Sequence, residues 1–93
     1  MKEITDEKLK KYFSVTEKAL GLALKSGNRT GMKAERDDCL DMIQRYCSDA
    51  EHFYKKGDFI NAFAALNYAH GWLDCGARIG LFDVHDSSLF TVD

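Results

Sequence analysis

No proline interrupts the 93 residues of this chain, and only seven are glycine. A fold of many short strands needs both residues at its turns, so their scarcity points to a few long helices. A strong net charge is also lacking, the formal value being −2. No global positive field therefore exists to gather nucleic acid or anionic lipid. Nor is there an unbroken apolar run of the roughly 20 residues that a bilayer crossing requires. The stretch from Met1 to Asp6 holds no apolar core of the kind a signal peptide needs. The expectation is a soluble, cytoplasmic protein with no membrane partner, and one whose charge does not favour nucleic acid without excluding it.

Cysteine is sparse and odd in number, at Cys39, Cys47 and Cys75. No C-x-x-C spacing occurs, which argues against a disulfide framework and against a zinc knuckle. The three read as free, buried thiols that pack like small hydrophobes. His70, Asp74 and Cys75 offer no Cys or His pair suited to a tetrahedral site, and His52 and His85 are distant in sequence. No metal and no cofactor is expected. Cys75 sits mid-helix beside Trp72 and Ile79, with no neighbouring base to support nucleophilic work.

What is present is core material, 45% hydrophobic and 12% aromatic, enough for one domain with one modest core. Thr5 caps a first helix, with Asp6 and Glu7 in the turn where the helix dipole favours acids. Leu9, Tyr12, Phe13, Thr16, Leu20, Ala23 and Leu24 then recur at helical spacing. Ser26-Gly27-Asn28 ends it, Gly and Asn being the residues that tolerate a left-handed cap. Gly27 to Gly31 reads as a flexible loop rather than an anion cradle, with Thr30 as a candidate cap. A second helix runs from about Met32 to Lys56. Its stripe holds Met32, Cys39, Ile43, Tyr46, Ala50 and Phe53, and its opposite face Glu35, Asp38, Asp41, Arg45, Asp49 and Lys55. Gly57 stops it and Asp58 caps a third helix at once, so the two are antiparallel neighbours.

The third helix, about Phe59 to Leu81, is unusual. Between Asp58 and Asp74 it carries no charged side chain, in a protein where 30% of residues are charged. One face holds Phe59, Ala62, Phe63, Leu66, Ala69, Leu73 and Ala77, and a second holds Ala65, Tyr68, Trp72, Cys75 and Ile79. Together they span about two-thirds of the helical wheel, more than one helix contact can bury. Gly71 and Gly76 each cost about 0.8–1.0 kcal/mol relative to Ala, a cost that close helix approach would offset. From Asp83 to Asp93 the pattern stops. Leu89, Phe90 and Val92 either pack back on the bundle or extend from it.

Two candidate sites follow. Asn67, His70, Asp74 and Arg78 form a polar row, in which Asp74 would orient His70 as in an acid–base pair and Asp74–Arg78 would be an i,i+4 ion pair. Against this stands the plainer reading that the row fixes helix register through internal hydrogen bonds, which is preferred. Tyr68, Trp72 and Ile79 form the apolar candidate, either core or a platform for a partner.

The stretch Ala50 to Leu81, above all G-D-F-I-N-A-F-A-A-L-N-Y-A-H-G-W-L-D, resembles the DUF357 family of small archaeal helical proteins of uncharacterised function. The resemblance extends over about Leu9 to Asp83. It implies a three-helix bundle and transfers no catalytic residue. The G-D-F turn is also similar to that of helical hairpins in tetratricopeptide repeats and HEPN domains. Arg78 and His85, with six residues between them, match the loose arginine–histidine pattern of HEPN ribonucleases.

The combined expectation is an all-α, up-down-up three-helix bundle at residues 1–82 with a short C-terminal tail at 83–93. Its expected role is non-enzymatic, a module binding a second copy or a helical partner through Tyr68, Trp72 and Ile79. The alternative is an RNA-processing or ligand-binding domain that uses the polar row.

Overall fold

The computed structural model of the protein describes residues 3–91, so Val92 lies outside the described residues. Three helices form an up-down-up, all-α bundle: α1 (Asp6–Lys25), α2 (Lys33–Lys55) and α3 (Phe59–Ile79). α3 packs along both of the others, most extensively along α2, while α1 and α2 meet mainly through side chains. The helix with the long charge-free stretch is thus the organising one.

Local chemistry sets most helix ends. The Thr5 hydroxyl accepts from the Lys8 amide at 3.1 Å. The Asp58 carboxylate accepts from the Asn61 amide at 3.2 Å, fixing the start of α3. Gly57 and Gly80 adopt positive φ, 77° and 91°. At each, the following amide reaches back to close the helix, Asp58 to the Phe53 carbonyl and Leu81 to that of Gly76, both at 2.9 Å. These are Schellman closures, which only glycine makes without strain.

The end of α1 departs from expectation. Ser26 is extended, and neither Gly27 nor Asn28 takes a left-handed conformation. The loop is held from outside instead: the Arg29 amide donates to the Gly80 carbonyl at 2.8 Å, and the Asp83 amide to Gly27 at 2.9 Å. Asn28 accepts from the Thr30 amide and hydroxyl, and Thr30 in turn accepts from the Met32 amide. The expected flexible loop is therefore stitched to the end of α3. Thr30 braces this turn, and Met32 stands as an N-cap with no side-chain bond. The apolar stripes also shift at their edges, with Leu24 and Met32 exposed and Ala19 fully buried.

The buried face of α3 is built largely from Ala62, Ala65, Ala69, Gly76 and Ala77, with Leu66 and Leu73. Small residues bring neighbouring helices close, and the volume is supplied from elsewhere. Leu9, Ala50 and Leu66 fill one half of the core beside Phe13, Phe53 and Phe63. In the other half Ile43 and Leu73 meet Phe82, Val84 and Phe90, which follow α3. The tail thus folds back, and full burial of a ring such as Phe82 contributes roughly 2–3 kcal/mol. Gly76 is needed here, because a Cβ at that position would overlap the Phe82 ring. The close approach expected at Gly76 comes from this tail ring; at Gly71 none occurs, and a Cβ there would meet nothing within 4 Å.

Candidate functional site

Rotation by about 100° per residue sorts α3 into faces. The face directed away from both α1 and α2 presents Ile60, Ala64, Tyr68, Gly71, Cys75 and Ile79, all exposed. Ile60 keeps 75%, Tyr68 62% and Ile79 53% of their surface in water. Asn61 and Asn67 lie on the same side, and Arg78 near its end is its one charged residue. Burying such side chains in a contact is favourable, whereas a face meant to stay wet is ordinarily charged.

Tyr68 and Ile79 stand on this face, and Trp72 forms its edge. The Tyr68 ring stacks on Tyr46 of α2 at 5.4 Å between centroids, with Trp72 6.3 Å from the same ring. Trp72 is half-buried against the core. A shallow recess of about 420 Å3 opens among Ala64, Asn67, Tyr68, Gly71 and Trp72. Cys75 corrects the expectation of three buried thiols. It is exposed because it falls on the outward face, while Cys39 and Cys47 are half-covered. Burial, then the nearby charges of Glu17 and Glu51, push the Cys47 thiol up to about 11.

The polar row runs along the side of α3 that faces α1. There Tyr12, Val15 and Thr16 join Leu66, Asn67, His70, Gly71 and Asp74 around a cleft of about 340 Å3. His70 Nε2 lies 3.7 Å from Asp74 Oδ1, too long for a hydrogen bond and an ion pair only when the imidazole is protonated. Asp74 instead accepts from the Thr91 amide at 2.9 Å and, more weakly, from the Thr91 hydroxyl at 3.4 Å. Among the described residues no ion pair joins Asp74 to Arg78; the carboxylate is turned toward the returning tail. Arg78 is exposed, and His85 contacts Asp83 at 2.9 Å rather than Arg78. Asn67, His70 and Asp74 therefore line this cleft while Arg78 lies on the outward face, and the four form no connected network.

Arg36, a residue not singled out from sequence, ties three chain segments together. Its Nε donates to the Leu81 carbonyl at 3.2 Å, and its Nη2 to the Ala23 and Ser26 carbonyls at 3.1 and 2.9 Å. These are carbonyls at the ends of α1 and α3, where the helix dipole also favours a cation. The guanidinium carbon lies 6.0 Å from the Phe82 ring centroid. This is a structural clamp, made from a side chain that looks like any other charge on an amphipathic helix.

Among the described residues no helix is long and apolar enough to cross a membrane, and no three His, Cys, Asp or Glu side chains converge as a metal site. Neither the curated proteins nor the solved structures contain a match to the chain. A family model described as a protein of unknown function, DUF357, matches residues 11–82. With its three-helix fold and most of its length covered by that match, the chain belongs to the DUF357 family.

Proposed function

We propose that this protein is a non-catalytic interaction module, and that its contact surface is the outward face of α3 centred on Tyr68. One observation carries the reading: a solvent-facing strip from Ile60 to Cys75 contains no charged side chain, although α2 beside it is charged along its whole outer side. An exposed apolar strip of this length on a small soluble bundle marks a surface that is covered in use. Tyr68, Trp72 and Ile79 supply the aromatic and branched side chains that dominate such contacts. The occupant is helical, either a second copy or another protein, and the three free thiols suit a reducing, cytoplasmic setting.

The test is a photo-crosslinking amino acid placed at Tyr68 or, as a control, at Asp41 on the outer face of α2. In cells, the first is expected to give discrete adducts and the second none. Equal labelling from both positions, or none from Tyr68, would overturn the proposal.

A second reading is favoured by the cleft along α1, onto which His70 and Asp74 do open. It makes the polar row a ligand or RNA site. The engagement of Asp74 by Thr91 weighs against it. An RNA-cleavage assay in which His70→Ala and His85→Ala leave the activity of the wild type unchanged would remove it.

A further inference from the structure

We infer that the occupant of the α3 face is a second copy of this chain, paired antiparallel about a two-fold axis that passes between Tyr68 and Gly71. The inference rests on the interaction-module reading and adds the identity of the partner. Its ground is the arrangement of the exposed positions. Ile60, Ala64, Tyr68, Gly71, Cys75 and Ile79 follow one another at steps of four, four, three, four and four residues. That series reads the same from either end, so an antiparallel copy brings every strip residue opposite another strip residue. A closed two-fold contact requires this property, in which one patch must be its own complement. Helical period alone makes such a series common, so the case for a second copy rests on how the side chains and charges match within it.

The side chains match in size as well as in position. In this register Ile60 meets the partner's Ile79, and Ala64 meets the partner's Cys75, small against small. Tyr68, the bulkiest residue of the strip, comes over the partner's Gly71. Gly71 is otherwise unexplained: it sits in a helix interior, where glycine is unfavourable, and no neighbour of its own chain needs the space. The recess beside it, lined by Ala64, Asn67, Tyr68, Gly71 and Trp72, lies on the proposed axis. Each Tyr68 ring, stacked on Tyr46 of its own chain, would turn its free face to the recess of the other copy.

Charge supports the same orientation. Arg78, the one charged residue of the strip, comes beside the partner's Asn61 and within a turn of the partner's Asp58, the carboxylate that caps α3. A parallel two-fold pairing would instead set Arg78 against its own copy and align the two helix dipoles. The contact is short. At 1.5 Å per residue the strip spans about 29 Å, so a lone helix pair falls near or below the lower bound of about 1,200 Å2 for specific interfaces. Dissociation on the order of 10–100 µM is expected.

Sedimentation equilibrium from 5 to 500 µM is the first test, with the wild type expected to pass from monomer to dimer. Gly71→Leu should keep its helical circular dichroism, since the added Cβ meets nothing within 4 Å and the position is open to solvent, and should weaken the dimer at least tenfold. Orientation is read by Ala64→Cys under oxidised glutathione. The expected product is a dimer bonded from the introduced thiol to the partner's Cys75, while the wild type, whose two Cys75 thiols lie far apart, gives none. A wild type that stays monomeric at 500 µM, a dimer unaffected by Gly71→Leu, or a bridge between two Cys75 thiols would each overturn the inference. Should the purified chain be monomeric while Tyr68 still yields adducts with a different protein in cells, the self-pairing falls and the interaction-module reading stands.

Discussion

The outer face of α2 carries Glu35, Asp38, Asp41, Arg45 and Asp49, and the outer face of α3 carries Ile60, Ala64, Tyr68, Gly71 and Cys75, all exposed. On α2 the charges pair along the helix, Arg45 with Asp41 at 2.9 Å and Lys33 with Asp37 at 3.4 Å. Such surface pairs contribute only a few tenths of a kcal/mol each, but they keep a face in water. α3 has the shape of a solvent-facing helix and the composition of a covered one. On the proposed reading, two helices of similar length in one bundle separate what stability requires from what a partner requires.

Core and clamp changes probe the inward side of this contrast and should be the largest. Arg36→Ala removes the clamp on three helix-end carbonyls, of which Ala23 keeps the Ser26 amide and hydroxyl as donors, and is expected to cost roughly 3 kcal/mol, read as a lower urea midpoint with unchanged slope. Gly76→Ala forces a methyl group into the Phe82 ring and should cost about 1–3 kcal/mol. Gly71→Ala, five positions earlier but on the outward face, has the opposite sign. It should stabilise the dilute monomer by up to about 1 kcal/mol, because the methyl meets nothing and the helix gains propensity. Thermal melts of the two glycine variants side by side give the cleanest separation of the two faces. If both lowered the midpoint, the outward assignment of Gly71 would be wrong.

A further effect is a pH dependence. The Cys47 thiol is raised from an ordinary value of 9.0 to about 11, burial being the main cause. The folded chain therefore holds this proton more tightly than the unfolded one. The corresponding stability is present below pH 9 and is lost as pH rises toward 11. Cys47→Ala should flatten that part of the stability curve, measured as urea midpoints across the window. An unchanged slope would show that Cys47 is not held in this way.

Much of the fold was legible in the sequence because its signals are local. Thr5, Gly57 and Asp58 act on amides within a few residues, and the amphipathic stripe of α2 needs only helical period to be seen. The end of α1 was misread because Gly27 and Arg29 take their conformation from Asp83 and Gly80, far along the chain. Arg36 was hidden for the same reason: its acceptors lie at two other helix ends, and no spacing rule connects them. The return of the tail cannot be read from period, since Phe82, Val84 and Phe90 follow none and pack on an α3 face lined with alanine. In the candidate site the placement of Tyr68 and Ile79 could be read from helical geometry. The engagement of Asp74 by Thr91 depends on that tail and could not.

The native thiol of Cys75 offers the most direct test of the central claim, because it sits on the outward face of α3 and is open in the single chain. Its alkylation by a cell-permeable maleimide can be compared between dilute purified protein and intact cells, with unfolded protein as the reference rate. The account expects markedly slower labelling in cells, with Tyr68→Lys restoring the fast rate. Labelling of Cys75 as fast in cells as in the dilute protein would mean that nothing covers this face, and would contradict it.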